Sequence, residues 1–85
     1  MAYKLTVNGD REDLPNCELS TLQGAVGGYI EIVPTRDGRL LVCNEEGKLK
    51  GLPVNWKATE LTRGILAAED LVVGDCVIAD KVEIT

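Results

Sequence analysis

The chain has 85 residues and a formal net charge of −5, and its aromatic side chains are one Trp, two Tyr and no Phe. This length allows one domain with a small core of Leu, Val, Ile and Ala, and the acidic balance argues against non-specific binding to nucleic acids, which needs a basic face. The lack of His and the three widely spaced cysteines argue against a disulfide framework, a zinc site and His-dependent catalysis.

The first third of the chain predicts one strand and one short helix. Apolar side chains alternate from Tyr3 to Val7, which is typical of a half-buried strand, and the polar residues 11–18 are interpreted as a connection. The spacing Ser20-Thr21-Leu22-Gln23 fits a capping box, so we expect a helix with Ser20 as its N-cap and Gly27-Gly28 at its end. The side chains that this helix is expected to bury are Leu22 and Val26.

The middle of the chain predicts a β-hairpin. Residues 29–33 and 39–43 are both strand-like, and Asp37-Gly38 between them is a common hairpin turn. We expect this pair to form the centre of the domain. The side chains that it is expected to bury are Ile30, Ile32, Leu40 and Val42.

A polar loop from Asn44 to Asn55 follows the hairpin and is longer than a simple chain reversal requires. Long polar loops on a rigid scaffold often carry binding function. The lone Trp56 is expected in the core, because few other aromatic side chains can fill it. Residues 58–63 are mildly helical, and residues 65–68 fit either a strand or the end of a helix.

The C-terminal part predicts one buried strand from Cys76 to Ala79, and residues 82–84 are compatible with a further strand. The sum is a single α+β domain over residues 1–85, with a mostly antiparallel sheet of four to five strands and one or two short helices. A small core and free strand edges favour a homo-oligomer. No signal-peptide pattern and no long apolar run is present, so we expect a cytoplasmic protein that does not enter a membrane.

Few residues in the sequence point to catalysis. Cys17 is expected to be the most exposed cysteine, but Asp13 and Glu18 beside it should raise the pKa of its thiol. Carboxylates are the candidate metal ligands, and their spacing does not match a calcium loop. Residues 47–51 (GKLKG) either meet phosphates through amide and ammonium groups or form a solvated turn. We therefore expect a protein that is not an enzyme and binds no cofactor.

Three blocks of the sequence together resemble a known family. The blocks are residues 26–31 (VGGYIE), 43–55 (CNEEGKLKGLPVN) and 73–78 (VGDCVI). Over about residues 19–78 the chain is similar to small proteins of phages and other mobile elements, catalogued as domain of unknown function 3846. It departs from them at Val54, where the family often has a second proline. The resemblance implies an accessory factor that acts by binding, such as one that occupies a host nuclease or sequesters a nucleotide signal.

We therefore expect a phage-type accessory protein, such as a counter-defence factor, that binds either a small nucleotide-like ligand or a host defence protein. A structural or regulatory subunit of a phage assembly is the alternative. The nucleotide hypothesis requires Lys48, Lys50 or Arg63 near a phosphate, whereas the protein hypothesis places the acidic surface against a basic groove. The candidate binding residues that the resemblance implies are Tyr29, Glu31, Asn44, Glu45, Glu46, Lys48 and Asn55.

Overall fold

The protein is built on one five-stranded sheet whose strand pairs are all antiparallel. The computed structural model describes residues 2–66 and 70–84. Its elements in chain order are β1 (Tyr3–Leu5), β2 (Arg11–Asp13), α1 (Leu19–Val26), β3 (Ile30–Pro34), β4 (Leu40–Asn44), α2 (Trp56–Leu61), β5 (Cys76–Ala79) and a 3₁₀ turn at Lys81–Glu83. The predicted α+β class with a mostly antiparallel sheet is confirmed.

The strand order in the sheet is β2-β1-β5-β4-β3. The central strand is therefore β5, which pairs with β1 on one side and with β4 on the other. All four of its side chains are buried, as an apolar run covered on both faces should be. The expectation that the hairpin forms the centre is wrong, because β5 separates it from β1 and leaves β3 at the edge.

Each face of the sheet carries its own apolar cluster. On one face, Leu22 and Val26 of α1 pack with the buried side chains of Val42 and Val77. The opposite face holds Tyr3, Leu5, Leu41, Cys76 and Ile78, together with Ala58 of α2 and Val72. Alternation along β4 and β5 sends successive side chains to opposite faces, so two thin cores stabilise one sheet.

The predicted hairpin is confirmed, with Ile32 opposite Val42 and the other pairs in continuous register. The predicted burial of its side chains is only partly right. Val42 is fully buried, Ile30 and Leu40 are half-buried, and Ile32 is 44% exposed. The reason is that β3 has a neighbouring strand on one side only.

Helix α1 ends as predicted but begins differently. Gly27 adopts a left-handed conformation with φ of +80°, and its N–H donates to the Gln23 carbonyl at 2.8 Å. The N-cap is Glu18, whose side chain makes no capping hydrogen bond, so the capping box at Ser20 is wrong. The Asn16 Oδ1 atom instead accepts from the Glu18 N–H at 3.0 Å and holds the entry to the helix.

Three other predictions are corrected by the structure. The connection over residues 11–18 contains the short strand β2, and the C-terminal residues form a 3₁₀ turn rather than a strand. Trp56 is 66% exposed because it is the first residue of α2, while Ala58 two residues later faces the core. Residues 67 and 68 of the ambiguous apolar stretch lie outside the described residues. No helix in the described ranges is long and apolar enough to cross a membrane.

Candidate functional site

The loop between β4 and α2 is wound into consecutive turns rather than extended. The Gly47 N–H donates to the Asn44 carbonyl at 3.1 Å, and the Lys50 N–H donates to the Glu46 carbonyl at 3.0 Å. The Leu52 N–H then returns to the Gly47 carbonyl at 3.1 Å. Gly47 is required at this point, because a Cβ there would lie 2.8 Å from the Val73 side chain. The loop is therefore a packed unit that holds its outer side chains in place.

Asn44 anchors the first end of this loop from a buried position. Its Nδ2 donates to the Val26 carbonyl at the end of α1 at 3.1 Å. Its Oδ1 accepts from the Glu46 N–H at 2.8 Å, which is the geometry of an Asx turn. Both ends of the amide are thus occupied by the backbone of the protein itself.

Asn55 anchors the second end and is fully buried. Its Nδ2 donates to the carbonyls of Leu5 and Gly74, each at 3.0 Å. Its Oδ1 accepts from the Ala58 N–H at 3.1 Å, which makes Asn55 the N-cap of α2. One side chain therefore ties together β1, the segment before β5 and the start of α2.

Four of the seven candidate residues line one groove of about 260 Å³ between β3 and the segment that leads to β5. We call it the acidic groove. Its charged rim consists of Glu31, Glu45, Lys48 and Asp70, with Asn44 below them. Its apolar floor is formed by Val33, Cys43, Leu66, Leu71, Val72 and Val73. The register Glu31 opposite Cys43 explains the first part of this arrangement, as it places both side chains on one face.

The charge of the acidic groove is unbalanced. Three carboxylates line it, from Glu31, Glu45 and Asp70, against the ammonium group of Lys48. The Lys48 Nζ already lies 3.3 Å from the Asp70 Oδ1, in an exposed ion pair that contributes little to stability. The groove therefore attracts cations rather than anions.

Tyr29 and Glu46 lie elsewhere, in a separate hollow of about 220 Å³ that also involves Gln23, Gly28 and Lys50. We call it the Tyr29 hollow. Adjacent Glu45 and Glu46 thus point to different places, as adjacent side chains in a turn do. Tyr29 is 68% exposed, so most of the residue is open to solvent.

The basic residues that the nucleotide hypothesis requires do not converge. Lys48 pairs with Asp70 at the acidic groove, and the Arg63 guanidinium lies 2.7 Å from Glu60 on α2. Lys50 lines the Tyr29 hollow. The three cations therefore line three different hollows of the surface.

None of the thiols is activated. Burial and, to a smaller extent, Glu31 raise the pKa of the Cys43 thiol to about 11, against a smaller opposing effect of Lys48. Burial raises the pKa of Cys76 to about 12. The pKa of Cys17 is also raised, as predicted, but by burial and Glu83 rather than by Asp13 and Glu18. In the described part of the chain, no group of three or more acidic or thiol side chains is placed to hold a metal ion.

Asp70 and Val33 belong to the groove but were missed in the sequence. Val33 could have been found, because strand alternation places it on the same face as Glu31. Asp70 gives no local signal, since its position depends on how the chain returns from α2 to β5.

The fold and this geometry define a small α+β domain with an acidic groove beside an open sheet edge. The family model of a domain of unknown function (DUF3846) matches residues 5–84, and the chain belongs to this family. No curated protein and no solved structure matches the chain.

Proposed function

We propose that the protein is a non-enzymatic accessory protein that binds a partner protein through the acidic groove. The observation that carries this proposal is the convergence of Glu31, Glu45 and Asp70 around an apolar floor, with Lys48 already paired. An apolar floor with a charged rim is the usual anatomy of a protein interface, and a surplus of carboxylates selects a basic partner.

The thiol chemistry supports binding over catalysis. A cysteine is a nucleophile as its thiolate, and the raised pKa of Cys43 keeps it protonated at neutral pH. Cys43 therefore serves as a small apolar surface on the groove floor. The remaining groups of the rim are carboxylates and an ammonium, which suit recognition by charge.

The resemblance to phage and mobile-element proteins directs the choice of partner. Nucleases and other effectors that bind nucleic acids carry basic surfaces, because they must neutralise phosphates. A chain with a net charge of −5 and an acidic groove can occupy such a surface. We therefore propose a host defence protein with a basic binding surface as the partner class, and inhibition of that protein as the role.

One observation favours a nucleotide-like ligand as a second candidate. The Tyr29 hollow places an exposed aromatic ring near Lys50, and no acidic side chain of the described residues forms an ion pair with Lys50. A ring and a lysine together can stack a base and meet a phosphate. Glu46 lines the same hollow and opposes an anion, so we rank this candidate second.

Native mass spectrometry of the affinity-purified protein from a cognate host cell tests both candidates. We expect a retained protein that is lost in Glu31→Lys and Glu45→Lys and kept in Asp13→Lys. Asp13 lies exposed on β2 at the opposite edge of the sheet, so its replacement makes the same change in net charge away from the groove.

Retention of a small ligand that is lost in Tyr29→Ala and Lys50→Ala would favour the nucleotide candidate instead. If the three charge reversals affected partner retention equally, the acidic groove would not be the site. Thermal denaturation of each variant checks that the fold is intact.

A further inference from the structure

The outer edge of β3 carries backbone groups that no other strand uses. The Tyr29 carbonyl accepts from the Glu45 N–H, and the Thr35 N–H donates to the Arg39 carbonyl, both at 2.9 Å. Because antiparallel pairing alternates along a strand, the backbone groups of Ile30, Ile32 and Pro34 point away from β4. No strand of the described residues pairs with this side. Since Pro lacks an N–H, the edge offers two donors and three acceptors.

The two faces of β3 differ in chemistry. Glu31 and Val33 line the acidic groove on one face. Ile30 and Ile32 belong to the other face, where they border a hollow with Leu19, itself 58% exposed, and with Glu18 and Glu83. A strand beside β3 would therefore meet Glu31 on one face of β3 and the apolar side chain of Ile32 on the other.

We propose that a partner segment binds as a sixth strand on the outer edge of β3, with basic side chains over the acidic groove and apolar side chains toward Ile32. This inference rests on the proposed function and specifies how the partner enters. A basic residue opposite Glu31 would be in a non-hydrogen-bonded pair, in which Cα atoms are about 4.5 Å apart and cross-strand ion pairs form. Backbone hydrogen bonds then supply affinity while the alternating side chains supply selectivity.

Charge decides between this occupant and a second copy of the chain. A second copy brings the same acidic groove and its own net charge of −5 to the edge. Pairing about a two-fold axis at Glu31 would place two carboxylates directly opposite each other, which is destabilising. A basic segment meets neither obstacle.

The test uses the heptapeptide Ac-Lys-Val-Lys-Val-Lys-Val-Lys-amide as a probe and isothermal titration at low salt. Two further peptides carry N-methyl groups either on every Val or on every Lys. N-methylation removes a donor and leaves the charge unchanged, so purely electrostatic binding treats both peptides alike. Strand addition instead predicts that one methylated peptide binds at least tenfold more weakly than the unmethylated probe, while the affinity of the other stays within about threefold of it.

Which of the two methylated peptides loses affinity also shows whether the added strand is antiparallel or parallel to β3. In an antiparallel complex the Val residues lie opposite Ile30 and Ile32 and give their N–H groups to β3, so methylated Val abolishes binding. In a parallel complex the Lys N–H groups are used instead. Equal affinity of both methylated peptides, or equal loss, would refute strand addition.

Matched variants of the protein separate this inference from the proposed function. We expect Glu31→Lys to lower the affinity for the unmethylated probe at least tenfold and Asp13→Lys to change that affinity less than threefold. If Glu31→Lys and Glu45→Lys weaken binding but both methylated peptides bind equally, the groove is the site and strand addition is wrong. If neither reversal matters, both proposals fail.

A homodimer that persists in native mass spectra at saturating peptide would show that a second copy occupies the edge, and would also overturn the inference.

Discussion

Replacing Asn55 by Ala should remove a large part of the stability of this protein. The side chain is fully buried and makes four hydrogen bonds: it donates to the carbonyls of Leu5 and Gly74 and to the Cys76 sulfur, and it accepts from the Ala58 N–H. Alanine removes a partner from the carbonyls of Leu5 and Gly74 and from the Ala58 N–H, although the Leu5 carbonyl still accepts from the Cys76 thiol at 3.8 Å. A buried group left without a partner costs about 1–3 kcal/mol, and the lost helix cap costs about 1 kcal/mol. We expect a loss of about 3–5 kcal/mol, allowing for partial relaxation of the site.

This loss is large on the scale of the whole protein. A chain of this length has a free energy of unfolding of about 4–13 kcal/mol at the usual stability per residue. In a domain of this size, Tm falls by about 4–8 °C for each kcal/mol. Urea titration followed by circular dichroism at 25 °C measures the change directly, and the same spectra show whether Asn55→Ala folds at all.

Asn16→Ala is the matched control. Asn16 also lies before the first residue of a helix, and its Oδ1 accepts from the Glu18 N–H and the Thr21 hydroxyl. Its side chain is exposed, unlike that of Asn55. Water replaces those partners, so we expect a loss of about 1 kcal/mol or less. Equal losses for Asn16→Ala and Asn55→Ala would refute the account of Asn55 as a buried tie between three segments.

The other predictions rest on burial, backbone conformation and titration. Ile32→Asp should cost about 1 kcal/mol or less because the edge position is open, whereas Val42→Asp buries an unpaired charge and should unfold the protein, as circular dichroism would show. Gly74→Ala should destabilise by about 2 kcal/mol or more, since φ is +78° and a Cβ would lie 2.7 Å from a leucine side chain. Gly24→Ala, in open space within α1, should stabilise by about 0.5–1 kcal/mol in the same urea titration. Burial raises the pKa of Cys76 to about 12, above the ordinary thiol value of about 8.5, so the folded state keeps this proton longer than the unfolded chain. The contribution of the Cys76 thiol to the free energy of unfolding is complete below about pH 8.5 and is lost as the pH rises toward 12. Cys76→Ala should therefore make the fall of Tm with alkaline pH less steep.

The local elements of this fold could be predicted from the sequence because their signals are local. Asp37-Gly38 between two apolar runs specified the hairpin, and Gly27 specified the end of α1. The N-terminal boundary of that helix was missed, because the side chain of Asn16 holds the entry in place of the Ser20 motif. Competing polar residues within a few positions of each other cannot be ranked by spacing alone.

The strand order and the burial of β3 could not be predicted in the same way. Nothing in the apolar run Cys76–Ala79 tells which two strands it separates, since that depends on contacts far apart in sequence. The exposure of Ile32 then follows from the strand order and not from its own neighbours in the chain. For the same reason, the return of the chain that brings Asp70 to Lys48 had no signal in the sequence.

The candidate residues named from the sequence lie in the segments that form the acidic groove and the Tyr29 hollow, and the structure gives them different surroundings. Residue type alone could not distinguish Asn44 and Asn55 from their exposed neighbours, because a buried amide and a ligand-binding amide look alike in a sequence. The structure shows the difference through hydrogen bonds, as both amides are taken up by backbone groups. Glu31, Glu45 and Lys48 keep exposed side chains at the acidic groove.

The two buried asparagines and the charged edge strand can be understood together. Asn44 and Asn55 fix both ends of the polar loop, so the acidic groove is formed before any partner arrives and little conformational entropy remains to be lost on binding. An open edge strand exposes a protein to uncontrolled pairing, and charged side chains and proline are the usual protection. Here Pro34 withholds one donor, and Glu31 would repel the Glu31 of a second copy in any register that places the two opposite each other. The same carboxylate is the group that a basic strand would meet first, so one side chain would both oppose such self-pairing and select the proposed partner.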